Sequence, residues 1–247
     1  IFLDKNIKNN DFIICLYGDK NILDKELSKF NISKDKIKII HTDGIVSDDE
    51  TPLTAIKNSK NTSMWNSIKA QIDGDADISL SAGNTGVLLV ISRMILKMIN
   101  KVNKPALAGL WPSKKGMSVV LDLGANIECD DKNLIDFSEM GAALYKSIFP
   151  GQKPYVALLN IGSEEIKGTD VLKKTYSKLK NLSSDTNFLF NGYIEGNQLM
   201  NGESNVIVTD GFTGNIALKT AEGTAKFITD NLKKSLTENI FSKLSII

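Results

Sequence analysis

The sequence predicts an α/β protein, a three-layer α/β/α sandwich around a mostly parallel sheet. Two observations predict it. Short β-branched runs alternate with longer stretches of helical periodicity through most of the 247 residues, the pattern of βαβ units whose sheet is covered on both faces. In addition, four polar, glycine-bearing segments fall where a strand should end and a helix or turn begin, which is where open α/β sheets bind ligands.

The elements follow in order. Strands are expected over residues 12–17, 36–41, 77–81, 106–110, 118–123, 155–160, 187–191 and 205–209, each a short run of β-branched, other apolar or aromatic residues. Helices are expected over residues 22–30, 63–72, 86–99, 133–147, 170–179 and 215–234, where apolar residues recur at three- and four-residue spacing. No internal repeat, low-complexity tract or Pro/Ser-rich linker interrupts them. Residues 1–225 therefore read as one α/β domain. Residues 226–247 read as the start of an amphipathic segment, with Phe227, Ile228, Leu232, Leu236, Ile240, Phe241 and Leu244 at helical spacing beside Lys226, Lys233, Lys234 and Lys243. Such a helix either packs on its own core or serves a partner or membrane surface.

Composition narrows the function. Thirty basic against 29 acidic side chains leave a net charge of +1, so no broad positive field attracts nucleic acid. Cys15 and Cys129 form no C-x-x-C pair, and the single histidine, His41, cannot supply a usual zinc set. The longest apolar block, Val87 to Ile91, is broken by Ser92 and Arg93, far short of the ~20 residues a membrane span needs. Acidic and amide residues interrupt the first ten positions, so no secretory signal reads there. A cytosolic protein without metal is expected. The chain opens on Ile1 and stops at Ile247 inside an amphipathic pattern, and it reads as a trimmed piece.

The first polar loop is Ser81-Ala82-Gly83-Asn84-Thr85-Gly86. Gly83 and Gly86 let backbone approach a ligand closely, Ser81, Asn84 and Thr85 offer side-chain donors, and the helix that follows presents unpaired N–H groups. That set suits an anion such as phosphate, or else a tight turn with a helix cap. It is neither a Walker loop nor a dinucleotide fingerprint. The second is Leu121-Asp122-Leu123-Gly124-Ala125-Asn126. A carboxylate at the end of an apolar strand is costly to bury unpaired, so Asp122 is expected to hold a neighbouring loop or a cation. The third, from Asn160 to Gly168, places Glu164 and Glu165 beside Lys167, either as a site or as solvated charges. The fourth, Asp210-Gly211-Phe212-Thr213-Gly214-Asn215, repeats the chemistry of the first at another helix start.

Together, in this order, the four segments resemble the phosphate acyltransferase family of bacterial phospholipid synthesis. The similarity runs from about Tyr17 to Lys234 and takes in His41, the Asp49-Glu50-Thr51-Pro52 turn, Ser63-Met64 and Glu195-Gly196. The family's opening strand with its Asp-Ala-Met-Gly-Gly-Asp loop, and its closing part, are not in this sequence. Gln198 stands where members often carry an acidic residue, and the basic residues before Ser63 are thinned to Lys57 and Lys60. At the level of layered architecture, the decarboxylating isocitrate and isopropylmalate dehydrogenases and the phosphate acetyltransferases are similar.

The resemblance implies transfer of an acyl group from acyl-carrier protein to inorganic phosphate, with no metal and no cofactor. It implies catalytic or positioning roles for Asn84, Asp122, Asn126, Glu164, Lys167, Asp210 and Asn215. It also implies phosphate contacts at Ser81, Gly83, Asn84, Thr85, Gly86, Thr213 and Gly214. It further implies a homodimer at the cytoplasmic face of the membrane, delivering acyl-phosphate to a downstream glycerol-phosphate acyltransferase. Two other readings differ in chemistry: a nicotinamide-dependent dehydrogenase, for which the sequence lacks a dinucleotide fingerprint and a suitable arginine cluster (Arg93 lies seven residues into a helix), and acyl transfer from coenzyme A. A non-catalytic membrane-surface scaffold is the alternative outside enzymes.

Overall fold

The computed structural model describes residues 12–30, 34–182 and 187–237. The chain gathers into two compact units, Ile1–Lys101 and Val102–Ile247, although no glycine- or proline-rich linker marks the junction within residues 1–225.

In the first unit, β1 (Ile14–Gly18) leads through Asp19, whose side chain accepts the Ile22 N–H, into α1 (Lys20–Leu27). Next comes β2 (Ile37–His41), which pairs with β1 in parallel from Ile14–Ile37 to Gly18–His41. Thr51 caps a seven-residue helix, α2 (Pro52–Asn58), with proline in the first turn, where its missing N–H costs nothing. Periodicity does not register so short a helix. Thr62 caps α3 (Ser63–Asp73), which Gly74 ends at φ +80°. Asn84 caps α4 (Thr85–Leu96). Ala55, Met64, Ile68, Val87 and Ile91 pack these three helices together.

The strand expected over residues 77–81 does not form. The Ser79 hydroxyl donates to the Ser67 carbonyl at 2.5 Å and accepts from Gln71 Nε2 at 2.9 Å, tying the segment to α3. Ile78 and Leu80 point to solvent, 76% and 79% exposed. A β-rich sequence becomes a strand only where a neighbour takes its backbone groups.

In the second unit, β3 (Ala108–Ser113) and β4 (Gly116–Leu121) form an antiparallel hairpin. They are followed by α5 (Asp131–Ile148), β5 (Tyr155–Leu159), α6 (Asp170–Leu182), β6 (Leu189–Ile194), β7 (Val206–Val208) and α7 (Gly211–Thr237). The sheet order is β3-β4-β7-β5-β6, parallel apart from the hairpin. Alternation along the strands sorts the core into two layers. Val119, Leu121, Val156, Leu158, Val206 and Val208 face Leu134, Phe137 and Ala142 of α5 and Leu179 of α6. Val120, Leu159 and Ile207 belong to the other layer, with Ala217, Leu218 and Ala221 of α7 packed against it. Helices thus cover both faces, which makes this unit the three-layer sandwich the sequence predicts.

Helix α7 runs unbroken through residue 225, so the amphipathic segment continues the helix that opens at Gly211. Phe227, Ile228, Leu232 and Leu236 are exposed. The reading in which Leu232 and Leu236 cover the chain's own sheet is therefore corrected. Ile240, Phe241, Lys243 and Leu244 lie outside the described residues.

Candidate functional site

In the second unit the parallel strands β4, β7 and β5 are adjacent, so the loops that leave their carboxyl ends are neighbours on one rim. Asp122 organises the first of these loops. It is fully buried, and its Oδ1 accepts from the N–H groups of Leu107 (3.0 Å), Gly124 (3.1 Å) and Ala125 (2.8 Å). Its Oδ2 accepts from Asn126 N–H (2.8 Å) and Asn126 Nδ2 (2.7 Å). Buried carboxylates persist where hydrogen bonds replace water, and here five donors do so. Asn126 Nδ2 also donates to the Pro105 carbonyl at 2.6 Å. Asp122 therefore holds a loop, as its sequence position suggested, and no cation is needed to account for its burial.

The start of α7 is pressed onto that loop. Gly211 N–H donates to the Asn126 carbonyl at 2.7 Å, and a Cβ at Gly211 would lie 2.6 Å from the same oxygen. A Cβ at Gly214 would fall onto the Asp122 carbonyl oxygen. Both glycines are there for close backbone approach. Asp210 caps the helix: its Oδ1 accepts Thr213 N–H and its Oδ2 accepts the Thr213 hydroxyl, both at 2.8 Å. Asn215 Nδ2 donates to the Leu123 carbonyl at 3.3 Å. The N–H and hydroxyl of Thr213, and one of the two amide hydrogens of Asn215, are thus spent inside the protein.

The third loop has a different character. Asn160 is buried and donates to the Lys167 carbonyl at 3.2 Å while accepting Ile161 N–H at 2.8 Å. Gly162 leaves room for two side chains: a Cβ there would meet Glu164 Oε2 at 2.7 Å and Lys167 Cγ at 3.1 Å. Among the described residues neither the Glu164 carboxylate nor the Lys167 ammonium forms an ion pair. Glu165 turns elsewhere, accepting from Tyr176 Oη and Lys180 Nζ of α6, each at 2.8 Å. Those two hydrogen bonds, Lys180 first, hold its carboxyl below the usual range.

In the first unit, Asn84 does three things at once. Its Oδ1 accepts Val87 N–H (3.1 Å), and its Nδ2 donates to the carbonyls of Asp48 (3.0 Å) and Glu50 (2.9 Å). It thereby fastens the Asp49–Pro52 turn to the start of α4. A Cβ at Gly86 would touch Pro52 at 3.4 Å, and one at Gly83 would touch Met64 at 3.3 Å. The Ser81 hydroxyl accepts Gly83 N–H at 3.2 Å. Its own proton, and the Thr85 hydroxyl, make no hydrogen bond among the described residues. His41 closes the start of α1. Its Nδ1 accepts Lys20 N–H at 3.1 Å, which leaves Nε2 to donate to Asp43 at 3.0 Å.

Residues 3–247 match the family described as Fatty acid synthesis protein. A phosphate acyltransferase of Pelagibacter ubique is 57% identical over 237 residues, which is 96% of this chain and 70% of that protein. This chain belongs to the phosphate acyltransferase family. A phosphate acyltransferase of Caulobacter vibrioides is 40% identical over 94% of the chain and 64% of its own length. The chain thus spans about two thirds of the length of the curated relatives it matches. Among solved structures, the EutD phosphotransacetylase from Staphylococcus aureus aligns with a TM-score of 0.63 over 91% of this chain and 78% of its own, at 16% identity. The two share a fold.

For this phosphate acyltransferase family member, sequence reasoning missed the duties of its amides. Asn84, Asn126 and Asn215 all donate to backbone carbonyls of neighbouring loops. It also missed the Glu165–Tyr176–Lys180 anchor, which the eleven- and fifteen-residue separations hide. Cys129 sits beside the Asp122 loop, half-buried, with its thiol pushed up to about 11 chiefly by burial.

Proposed function

We propose that this chain moves a fatty acyl group from the thioester of acyl-carrier protein to inorganic phosphate. A phosphate oxygen attacks the thioester carbonyl, the C–S bond breaks, and the carrier thiol departs as thiolate, giving acyl-phosphate. Phosphate is already an anionic nucleophile, and a thiol of reference pKa about 8.5 leaves readily. The protein's task is to hold the partners together and stabilise the developing oxyanion. Family membership supports the reaction.

The observation that carries the site is Lys167, a cation without an ion-pair partner among the described residues, whose aliphatic stem lies against Gly162 on the loop after β5. We assign it the phosphate charge, with Glu164 beside it as an orienting group. Asp122, Asn126, Asp210, Thr213, Gly214 and Asn215 keep the adjoining loops in place so that backbone N–H groups and Lys167 are held ready. Taken by itself, the first unit offers the hydroxyl protons of Ser81 and Thr85 as donors to an anion, while Asn84, Gly83 and Gly86 hold their loop. A non-catalytic scaffold draws no support from relatives that carry an enzyme's name.

The exposed stripe of α7, Phe227 to Leu236, supports pairing with a second copy and peripheral contact with anionic lipid through neighbouring lysines. Among the described residues no helix is long and apolar enough to cross a membrane. Delivery of acyl-phosphate to a glycerol-phosphate acyltransferase at that surface would spare a labile apolar product from water. The test of the site is kinetic: Lys167→Met should raise the KM for phosphate far more than that for acyl-carrier protein, and an unchanged phosphate KM would remove Lys167 from the site.

A further inference from the structure

The loop that carries Lys167 is not held by apolar burial. Of residues 161–167 only Gly162 is buried, and the two large apolar side chains, Ile161 and Ile166, are 82% and 79% exposed. A segment with so few buried apolar contacts opens at little cost unless polar contacts fix it. Inside the loop, Lys167 N–H donates to the Glu164 carbonyl at 3.0 Å, closing a turn with Glu165 and Ile166 at its corners. Asn160 Nδ2 donates to the Lys167 carbonyl. Gly168, at φ +89°, is required beside that contact, because a Cβ there would fall onto the Asn160 amide.

A further contact reaches out of the loop to α6 and, through α6, to β6. Glu165 accepts from Tyr176 Oη and Lys180 Nζ on one oxygen, Oε1, both at 2.8 Å. Glu165 and Lys180 are exposed, and an exposed ion pair between long side chains contributes little by itself. Tyr176 is different, because its ring has a fixed seat. The ring centroid lies 4.7 Å from that of Tyr193 and 5.3 Å from that of Phe190, which it meets edge-on. Gly192 leaves room for it, since a Cβ there would touch Tyr176 Cε2 at 3.4 Å. Lys180 Nζ stands 5.5 Å from the same ring centroid. The phenol is therefore a donor anchored on the strand next to β5, and it grips the turn two residues before Lys167.

We infer that Tyr176 is a positioning residue: through Glu165 it holds the Glu164–Lys167 turn so that the Lys167 ammonium stands where phosphate binds, with Lys180 closing the same latch. The inference rests on the phosphate role proposed above for Lys167. A point charge serves a bound anion only while it is in place, and a small displacement originating away from the chemistry is enough to weaken it. Releasing the latch should thus cost phosphate binding and spare the carrier protein.

The experiment is steady-state kinetics with phosphate and acyl-carrier protein varied in turn. Tyr176→Phe removes the phenol oxygen and keeps the packed ring. The phosphate KM should rise about threefold, the scale of one exposed charged hydrogen bond, with the carrier KM unchanged. Tyr193→Phe is the control: it removes a phenol oxygen from the same cluster, one with no hydrogen-bond partner among the described residues, and should leave the phosphate KM alone. In a Lys167→Met background, Tyr176→Phe should add nothing, because no ammonium remains to be placed. Glu165→Ala, on the exposed side of the latch, should reproduce the rise and serves if Tyr176→Phe does not fold. If Lys167→Met raises the phosphate KM but neither latch variant does, the inference alone is overturned. An equal rise from Tyr176→Phe with and without Lys167 would overturn it as well. A phosphate KM unmoved by Lys167→Met would instead refute the site reading, and the latch would fall with it.

Discussion

Replacing Asp122 by alanine removes one carboxylate and orphans five donors: the N–H groups of Leu107, Gly124, Ala125 and Asn126, and Asn126 Nδ2. A hydrogen bond to a charged acceptor contributes about 1.5–3 kcal/mol, but the five are not additive, because water entering the vacated space would recover some of the donors. Breaking a buried charged network costs about 3–5 kcal/mol, and a loss near 4 kcal/mol is expected for Asp122→Ala. Asp122→Asn keeps the shape and one oxygen, turns an NH2 toward donors, and should lose about 2 kcal/mol. Each unit contains one tryptophan, Trp65 in the first and the buried Trp111 in the second. In a Trp65→Phe background, Trp111 fluorescence in urea therefore reports the second unit alone. A loss below about 1 kcal/mol for Asp122→Ala would refute the argument that this carboxylate is the hub of the rim.

The remaining predictions are of the same kind. Lys167→Met should raise the phosphate KM at least about tenfold, with Lys167→Arg between it and the unaltered protein, since arginine keeps the charge but not the shape; steady-state kinetics with phosphate varied would check both. Cys129, with its thiol pushed up to about 11 mainly by burial, should remain protonated at neutral pH, so Cys129→Ala should keep most turnover and mass spectrometry should find no acylated thiol. Because its folded pKa lies above the unfolded one, any stability this thiol contributes is present below about pH 9 and declines as pH rises toward 11, which urea unfolding across that range would detect. Gly214→Ala would drive a Cβ onto the Asp122 carbonyl oxygen and into Thr209, and should cost about 2–4 kcal/mol in the same unfolding assay. Leu232→Glu with Leu236→Lys should weaken self-association in sedimentation and binding to anionic vesicles in flotation.

How much of this the sequence discloses depends on whether the cause is local. The helix starts at Asn84 and Asp210 and the strands β4, β5 and β7 have local causes and read from spacing and residue type, whereas the caps at Thr51 and Thr62, and the short helix behind Thr51, do not. Burial of Asp122 was legible for a physical reason: a carboxylate ending an apolar strand must find donors. The failure over residues 77–81 is non-local, since Ile78 and Leu80 have strand propensity but the segment's polar face is spent on α3. The antiparallel β3–β4 pair was not legible in the sequence, which predicts only two separate strands there; its tight turn passes through Gly116 at φ +126°. The parting at Lys101–Val102 carries no compositional signal at all. In the site, the loops could be read but the duties within them could not. Asn and Thr at a helix start serve an anion or a neighbouring carbonyl equally well, and Asn84 and Asn215 serve carbonyls.

The central claim is acyl transfer to phosphate, and the most direct measurement is phosphorus NMR of the protein incubated with hexadecanoyl-acyl-carrier protein and inorganic phosphate. An acyl-phosphate resonance should grow in step with release of the free carrier thiol, vanish when phosphate is omitted, and persist in Cys129→Ala. Carrier thiol released without phosphate, or no acyl-phosphate at any phosphate concentration, would contradict the account.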